Sequence, residues 1–272
     1  MQYKNIQGLE VPEIGLGTYK LHDRECSQIV RKALDIGYRH IDTAQMYKNE
    51  QAIAEALNVS NVPREDIFLS TKIWHTNLEA DDVLQSTEES LRQLDTPYVD
   101  LLMIHWPNDQ YDLRATIESM LVLRDQGKAM NIGVSNFPLQ LLKKVKEEIR
   151  APIFCNQVEF HPFIDQLDLL DYAIDNDIMI TAYSPLAQGK VSENEDLQEI
   201  AEKYDKSPAQ ISLRWLIEQE NVVAIPKASS EEHLRENFDV FDFYLEDEDF
   251  ERIDQLEKSM RLVDPSFAPN WG

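Results

Sequence analysis

Four ionisable side chains stand where runs of apolar residues end. Asp42 closes the run 38–42, Lys72 lies near the end of 67–73, and His105 lies near the end of 99–106. Tyr47 follows Asp42 by five residues. Together they make a proton-donating set. A free tyrosine has a pKa of about 10 and is a poor acid near neutrality, but a neighbouring ammonium favours its phenolate. Lys72 is expected to supply that charge and lower the Tyr47 pKa, with Asp42 keeping Lys72 ionised and aimed. His105 is expected to donate a hydrogen bond to a carbonyl oxygen. Taken singly, Asp42 and Lys72 read as an internal ion pair, His105 as a satisfied core histidine and Tyr47 as loop packing. Their convergence on adjacent strand ends reverses that reading.

The elements that must position them alternate along the whole chain. Eight short apolar runs read as strands: 14–19, 38–42, 67–73, 99–106, 129–134, 154–158, 178–183 and 222–226. Between them lie stretches of helical spacing, such as Ile29, Ala33 and Leu34 before Gly37, and Val83, Leu91 and Leu94. Ser207-Pro208 opens another, Ser as cap and Pro at the first position. A final helix is expected over 246–259, outside the repeat. Strand then helix, eight times without a linker, predicts a single (β/α)8 TIM barrel over residues 1–272. The first dozen residues, with Gly8 and Pro12, read as a hairpin capping its bottom. The alternative, an open doubly wound sheet, wants a glycine-rich phosphate loop after the first strand. Gly15-Leu16-Gly17 is followed by Lys20, where the third glycine is needed, and no GxGxxG occurs.

Composition narrows the function further. With 50 acidic and 26 basic side chains, the net charge of −24 disfavours nucleic acid and anionic membranes as partners. The charge reads as a solubilising coat, or as adaptation to high salt. The amino terminus is polar and no apolar run approaches a membrane span, so cytoplasm is the expected location. Cys26 and Cys155 stand apart and are expected to be reduced thiols. No HExxH-like spacing suggests a metal, and no tyrosine is followed four residues on by lysine, as a short-chain dehydrogenase would need.

The segment Gly37-Tyr38-Arg39-His40-Ile41-Asp42-Thr43-Ala44-Gln45-Met46-Tyr47-Lys48-Asn49-Glu50 resembles the signature of the aldo-keto reductase superfamily. Ser70-Thr71-Lys72, Ile104-His105-Trp106-Pro107, Gly133-Val134-Ser135-Asn136-Phe137, Asn156-Gln157-Val158-Glu159, Tyr183-Ser184-Pro185-Leu186 and Ile225-Pro226-Lys227 resemble its later blocks, in order. Within that superfamily the chain resembles the short bacterial and archaeal 2,5-diketo-gluconate reductase-like members. The resemblance implies an NAD(P)H-dependent reduction of aldehydes, ketones or α-dicarbonyls, by a monomer. Tyr47 would be the general acid, Lys72 and Asp42 its tuning pair, and His105 the orienting donor. Ser135, Asn136 and Gln157 would hold the nicotinamide carboxamide, Tyr183 would stack on its ring, and Thr18 would lie nearby. Ser184, Leu186 and Gln188 would line the pyrophosphate, Lys227 and His233 the adenosine end, and Glu236 and Asn237 the adenine. Trp74, His75, Trp106, Asn108 and Trp271 are expected at the substrate mouth.

One block departs from the family. Where relatives carry Lys-Ser and a later Arg, this chain has Lys227-Ala228 and His233. A neutral imidazole cannot replace a bidentate, always charged guanidinium on a 2′-phosphate. NADPH is therefore expected to remain favoured, with NADH usable. A cofactor-bound sensor on the same fold is the rival reading.

Overall fold

A computed structural model describes residues 1–271. Strands β1 (Tyr3–Ile6) and β2 (Leu9–Pro12) form an antiparallel hairpin. Eight parallel strands follow: β3 (Leu16–Gly17), β4 (His40–Asp42), β5 (Phe68–Ile73), β6 (Val99–Ile104), β7 (Ala129–Ser135), β8 (Ile153–Glu159), β9 (Met179–Tyr183) and β10 (Val222–Ala224). They pair in sequence order, and the first returns to the last. Gly15 N–H donates to Ala224 O at 2.8 Å, and Gly17 N–H donates to Pro226 O at 3.1 Å. The result is a (β/α)8 barrel.

Closure explains the two glycines. A Cβ on Gly17 would meet Ile225 O at 2.7 Å, and one on Gly15 would meet the His40 ring at 2.7 Å. Backbone approach this close admits only hydrogen. These glycines therefore seal a barrel where a dinucleotide fold would cradle phosphate.

Each barrel strand leads to at least one helix, and the expected punctuation holds. Helix Asp23–Ile36 buries Cys26, Ile29, Val30, Ala33 and Leu34 and stops at Gly37, whose φ of 125° a side chain would resist. Ser207 accepts from Gln210 N and the Gln210 side chain returns the bond, a reciprocal cap on helix Pro208–Glu218. The last helix is shorter than expected, running Asp247–Asp254. The chain leaves it to pair with the loop after β8: Asp165 N–H donates to Lys258 O and Met260 N–H to Phe163 O. Backbone bonds to that loop replace the last helical turns.

Side chains alternate in and out along a strand. Outward residues such as Ile41, Leu69, Leu102, Val134 and Ile180 join the large core under the helices. Inward ones divide by height. Below the polar residues, Phe68, Leu101, Met103, Cys155, Met179 and Val223, with Phe154 from the start of β8, pack with Ile6 and Val11 of the hairpin, which plugs the bottom. Two residues beyond Phe68 and Met103 on the same parity, polar side chains begin.

Candidate active site

Parity and height bring the proton-donating set together at the carboxyl ends of the strands, where barrel active sites lie. Asp42 is two residues past His40, Lys72 four past Phe68, and His105 two past Met103, so all three point inward. Lys72 is fully buried, and its Nζ donates to Asp42 Oδ1 at 2.6 Å, to Thr43 O at 2.9 Å and to Tyr47 Oη at 3.5 Å. Asp42 Oδ2 accepts from Ser70 Oγ and from Gln157 Nε2, each at 2.8 Å. A buried ion pair this well bonded avoids the cost of a lone charge. Tyr47 ends a single 3-10 turn, Gln45–Tyr47, followed by left-handed Lys48. The Tyr47 ring meets His105 edge-on at 5.6 Å.

The electrostatics correct one expectation. Burial, then the Asp42 carboxylate, pushes the Tyr47 phenol well above its ordinary value. Lys72 does not bring the phenol below its ordinary value, because Asp42 at 2.6 Å offsets much of its charge and burial outweighs the rest. The phenol therefore keeps its proton. Burial also lowers Lys72, with Asp42 opposing. His105 is driven well below its ordinary value by burial, then by Lys72 and His75. It stays neutral, with Nδ1 buried and without a hydrogen-bond partner among the described residues.

A cleft of about 770 Å³ opens above these residues and runs past Tyr183 to Lys227. Its inner wall carries Thr18, Ser135, Asn136, Gln157 and Tyr183, and its far wall Ser184, Leu186 and Gln188. Asn136 sits at a left-handed φ of 62°. Its amide is spent within the protein, donating to His105 O and Ser135 Oγ and accepting from Tyr183 Oη at 2.8 Å. Thr18 Oγ1 likewise donates to Asp42 O. Among the described residues, none accepts the Ser135 hydroxyl hydrogen and none donates to the Gln157 side-chain carbonyl oxygen. Donor and acceptor on one wall suit a carboxamide. Ser184, Ala187 and Gln188 all have positive φ, between 45° and 53°. Three such non-glycine residues within five positions mark a strained loop, of the kind found at ligand sites.

The adenosine-end residues are less gathered. Lys227 reaches the cleft. His233 is exposed on helix Glu231–Phe238, Asn237 is buried, and Glu236 accepts a 2.6 Å bond from Ser207 Oγ. Arg235 is paired with Glu231 at 2.9 Å on the outer face.

The mouth is a set of rings. Trp74 lies 5.2 Å from His105, and Trp74 and Trp106 both line the cleft. Three expected mouth residues stand behind that lining, His75 with its ring stacked on Phe267 at 4.3 Å. Asn108 is turned outward, donating to His75 O at 2.9 Å, and both line a neighbouring outer cleft. Trp271 packs behind Trp106 at 6.0 Å, under the Arg261 guanidinium. In their place the sequence reading missed Phe267, which contacts Trp74, His75 and Trp106, and Tyr19, whose ring lies 5.1 Å from Tyr47. An aromatic just past Pro265 and one beside Thr18 were the available signals.

The sequence pattern of the aldo/keto reductase family matches residues 13–258. The chain belongs to that family. It is 41% identical over 257 residues to the glyoxal reductase of Bacillus subtilis, covering 94% of this chain and 92% of that one. It is 38% identical to the methylglyoxal reductase DkgB of Escherichia coli O157:H7, over 97% and 100% of the two chains. A crystal structure provisionally named 2,5-diketo-D-gluconic acid reductase B superposes with a TM-score of 0.97 at 38% identity, over 100% of this chain and 98% of that one. This aldo-keto reductase is thus an NAD(P)H-dependent oxidoreductase that reduces carbonyls.

Proposed function

We propose that Tyr47 is the proton donor for reduction of small aldehydes and α-dicarbonyls, and that residues 1–272 act as one catalytic unit, a cytoplasmic monomer. The observation that carries the assignment is the position of Lys72 Nζ, 2.6 Å from Asp42 and 3.5 Å from Tyr47 Oη. When bound, the dihydronicotinamide supplies the hydride that the carbonyl carbon receives. Ser135 and Gln157 hold its carboxamide through their free hydroxyl hydrogen and carbonyl oxygen, and Tyr183 covers the ring. Neutral His105 donates to the carbonyl oxygen and fixes its direction. As charge grows on that oxygen, His105 and Tyr47 stabilise it. The Tyr47 phenol, kept protonated by burial, then delivers its proton. Lys72 stabilises the phenolate left behind, which is where its charge acts.

Substrate and cofactor choice follow from the walls. Trp74, Trp106, Phe267 and Tyr19 offer an aromatic mouth, which suits compact carbonyls such as those in the names of the two relatives. NADPH is favoured through Lys227, with NADH usable, because His233 stands where a guanidinium would grip the 2′-phosphate and Ala228 lacks a hydroxyl. Arg235 is held by Glu231 and is not a substitute.

Steady-state oxidation of NADPH and NADH with a panel of aldehydes and dicarbonyls tests this reading. Turnover of methylglyoxal and aromatic aldehydes with both cofactors, NADPH ahead, is expected. Tight cofactor binding with negligible turnover across the panel would instead support a sensor.

A further inference from the structure

Glu159 ends β8, is fully buried, and makes no hydrogen bond to the proton-donating set. Its Oε1 accepts from His161 Nε2 at 3.0 Å and from Leu262 N–H at 2.8 Å, and its Oε2 accepts from Val263 N–H at 2.9 Å. His161 is equally buried, and its Nδ1 accepts from Phe163 N–H at 3.2 Å. That bond leaves Nε2 as the nitrogen that carries the hydrogen toward Glu159. A buried carboxylate is tolerable only when its lone pairs are filled, and two of the three donors come from the chain's last segment.

That segment walls the cleft. Leu262, Val263, Asp264, Pro265 and Phe267 all line it. Before Leu262 the backbone is braced on the loop after β8, through Lys258 O and Met260 N–H. After Val263 the bonds turn inward on the tail itself: Ala268 N–H donates to Pro265 O, and Trp271 Nε1 to Asp264 Oδ1 at 2.9 Å. Glu159 therefore grips the tail at the point where it leaves the barrel to place Phe267 among Trp74, His75 and Trp106.

We infer that Glu159, oriented by His161, is a positioning residue for substrate selectivity, latching the tail that forms the mouth. The inference rests on the reading of this cleft as the carbonyl site. Bulky carbonyls that touch the tail depend on the latch, whereas small ones held by His105 and Tyr47 do not. In Glu159→Gln the amide oxygen can serve His161 and Leu262, but the amide N–H₂ then faces the Val263 N–H, donor against donor. The tail loosens while the strand stays filled.

The test compares Glu159→Gln with the parent chain using methylglyoxal and phenylglyoxal. The KM for phenylglyoxal should rise by about tenfold, the size of one lost charge-assisted bond. The KM for methylglyoxal, kcat for both and NADPH affinity by fluorescence quenching should stay close to parent values. Trypsin should cut after Arg261 faster in the variant, a readout that needs no substrate. Unchanged KM values and unchanged cleavage in a folded variant would overturn the latch. So would a parallel fall in kcat and NADPH affinity, which would mark general support of the barrel. If the parent reduces neither dicarbonyl, the proposed function fails and the trypsin comparison alone decides the latch. Should Glu159→Gln not fold, Val263→Pro removes one tail donor without touching the barrel. The same pattern is expected there, and parent-like behaviour overturns the inference.

Discussion

Gln157 Nε2 donates to Asp42 Oδ2 at 2.8 Å, joining the wall proposed to face the carboxamide to the carboxylate that bonds Lys72. The bond spans 115 residues of sequence, from β8 across the barrel interior to β4. Asp42 thus has both oxygens occupied, one by Lys72 and one by Ser70 and Gln157. The ammonium has little freedom to leave its place beside Tyr47.

Replacing Lys72 by Met leaves the Asp42 carboxylate buried with no cation, and the phenol facing it. Tyr47 should become still harder to ionise, and kcat should fall by roughly a hundredfold or more. Breaking a buried pair costs about 3–5 kcal/mol, so urea unfolding should show a loss of that size. Circular dichroism at the assay temperature separates the two effects. A variant as stable and as active as the parent would contradict the pairing.

Stability should fall in mild acid because two histidines are buried neutral. Burial lowers His40 to about 4 from an ordinary 6.5, and drives His105 well below the same value. Between those values the unfolded chain takes up a proton that the folded chain refuses. Stability is therefore full above about pH 6.5 and is lost as pH falls, by roughly 1.4 kcal/mol per unit for each histidine. Urea midpoints from pH 7 down to pH 5 measure this slope. A flat profile would mean that neither imidazole is held neutral.

The convergence of the candidate residues was legible because strand parity is a property of sequence: Asp42, Lys72 and His105 share the inward phase of their runs. The glycine count before Lys20 likewise distinguished a sealed barrel from a phosphate loop. Contacts between distant segments were not legible. Nothing local tells that Lys258 and Met260 will abandon a helix for the loop after β8. Phe267 reaches Trp74 only once the tail has folded back, and Asn108 turns outward because its amide finds His75 O. The phenol's upward shift was missed for a related reason. Residue types announce an ammonium near a tyrosine, but only the folded structure reveals that burial and a carboxylate at 2.6 Å from that ammonium outweigh it.

Cofactor preference can be tested at the adenosine end. His233 is exposed and bonds through its backbone to Ser230, so its side chain can be exchanged without disturbing the helix cap. His233→Arg should tighten NADPH by about tenfold or more, the equivalent of one charge-assisted bond, and leave NADH nearly unchanged. Dissociation constants by fluorescence quenching provide the check. Equal gains for both cofactors would show that the new cation does not reach the 2′-phosphate.

The most direct measurement removes one oxygen. Tyr47→Phe keeps the ring that packs on Tyr19 and His105 and deletes only the hydroxyl near Lys72. Turnover of methylglyoxal with NADPH should fall by at least the roughly hundredfold expected of a lost general acid. NADPH affinity should stay at the parent value, since the hydroxyl is not part of the wall proposed to hold the carboxamide. A folded Tyr47→Phe enzyme with near-parental turnover would contradict the assignment of Tyr47 as proton donor.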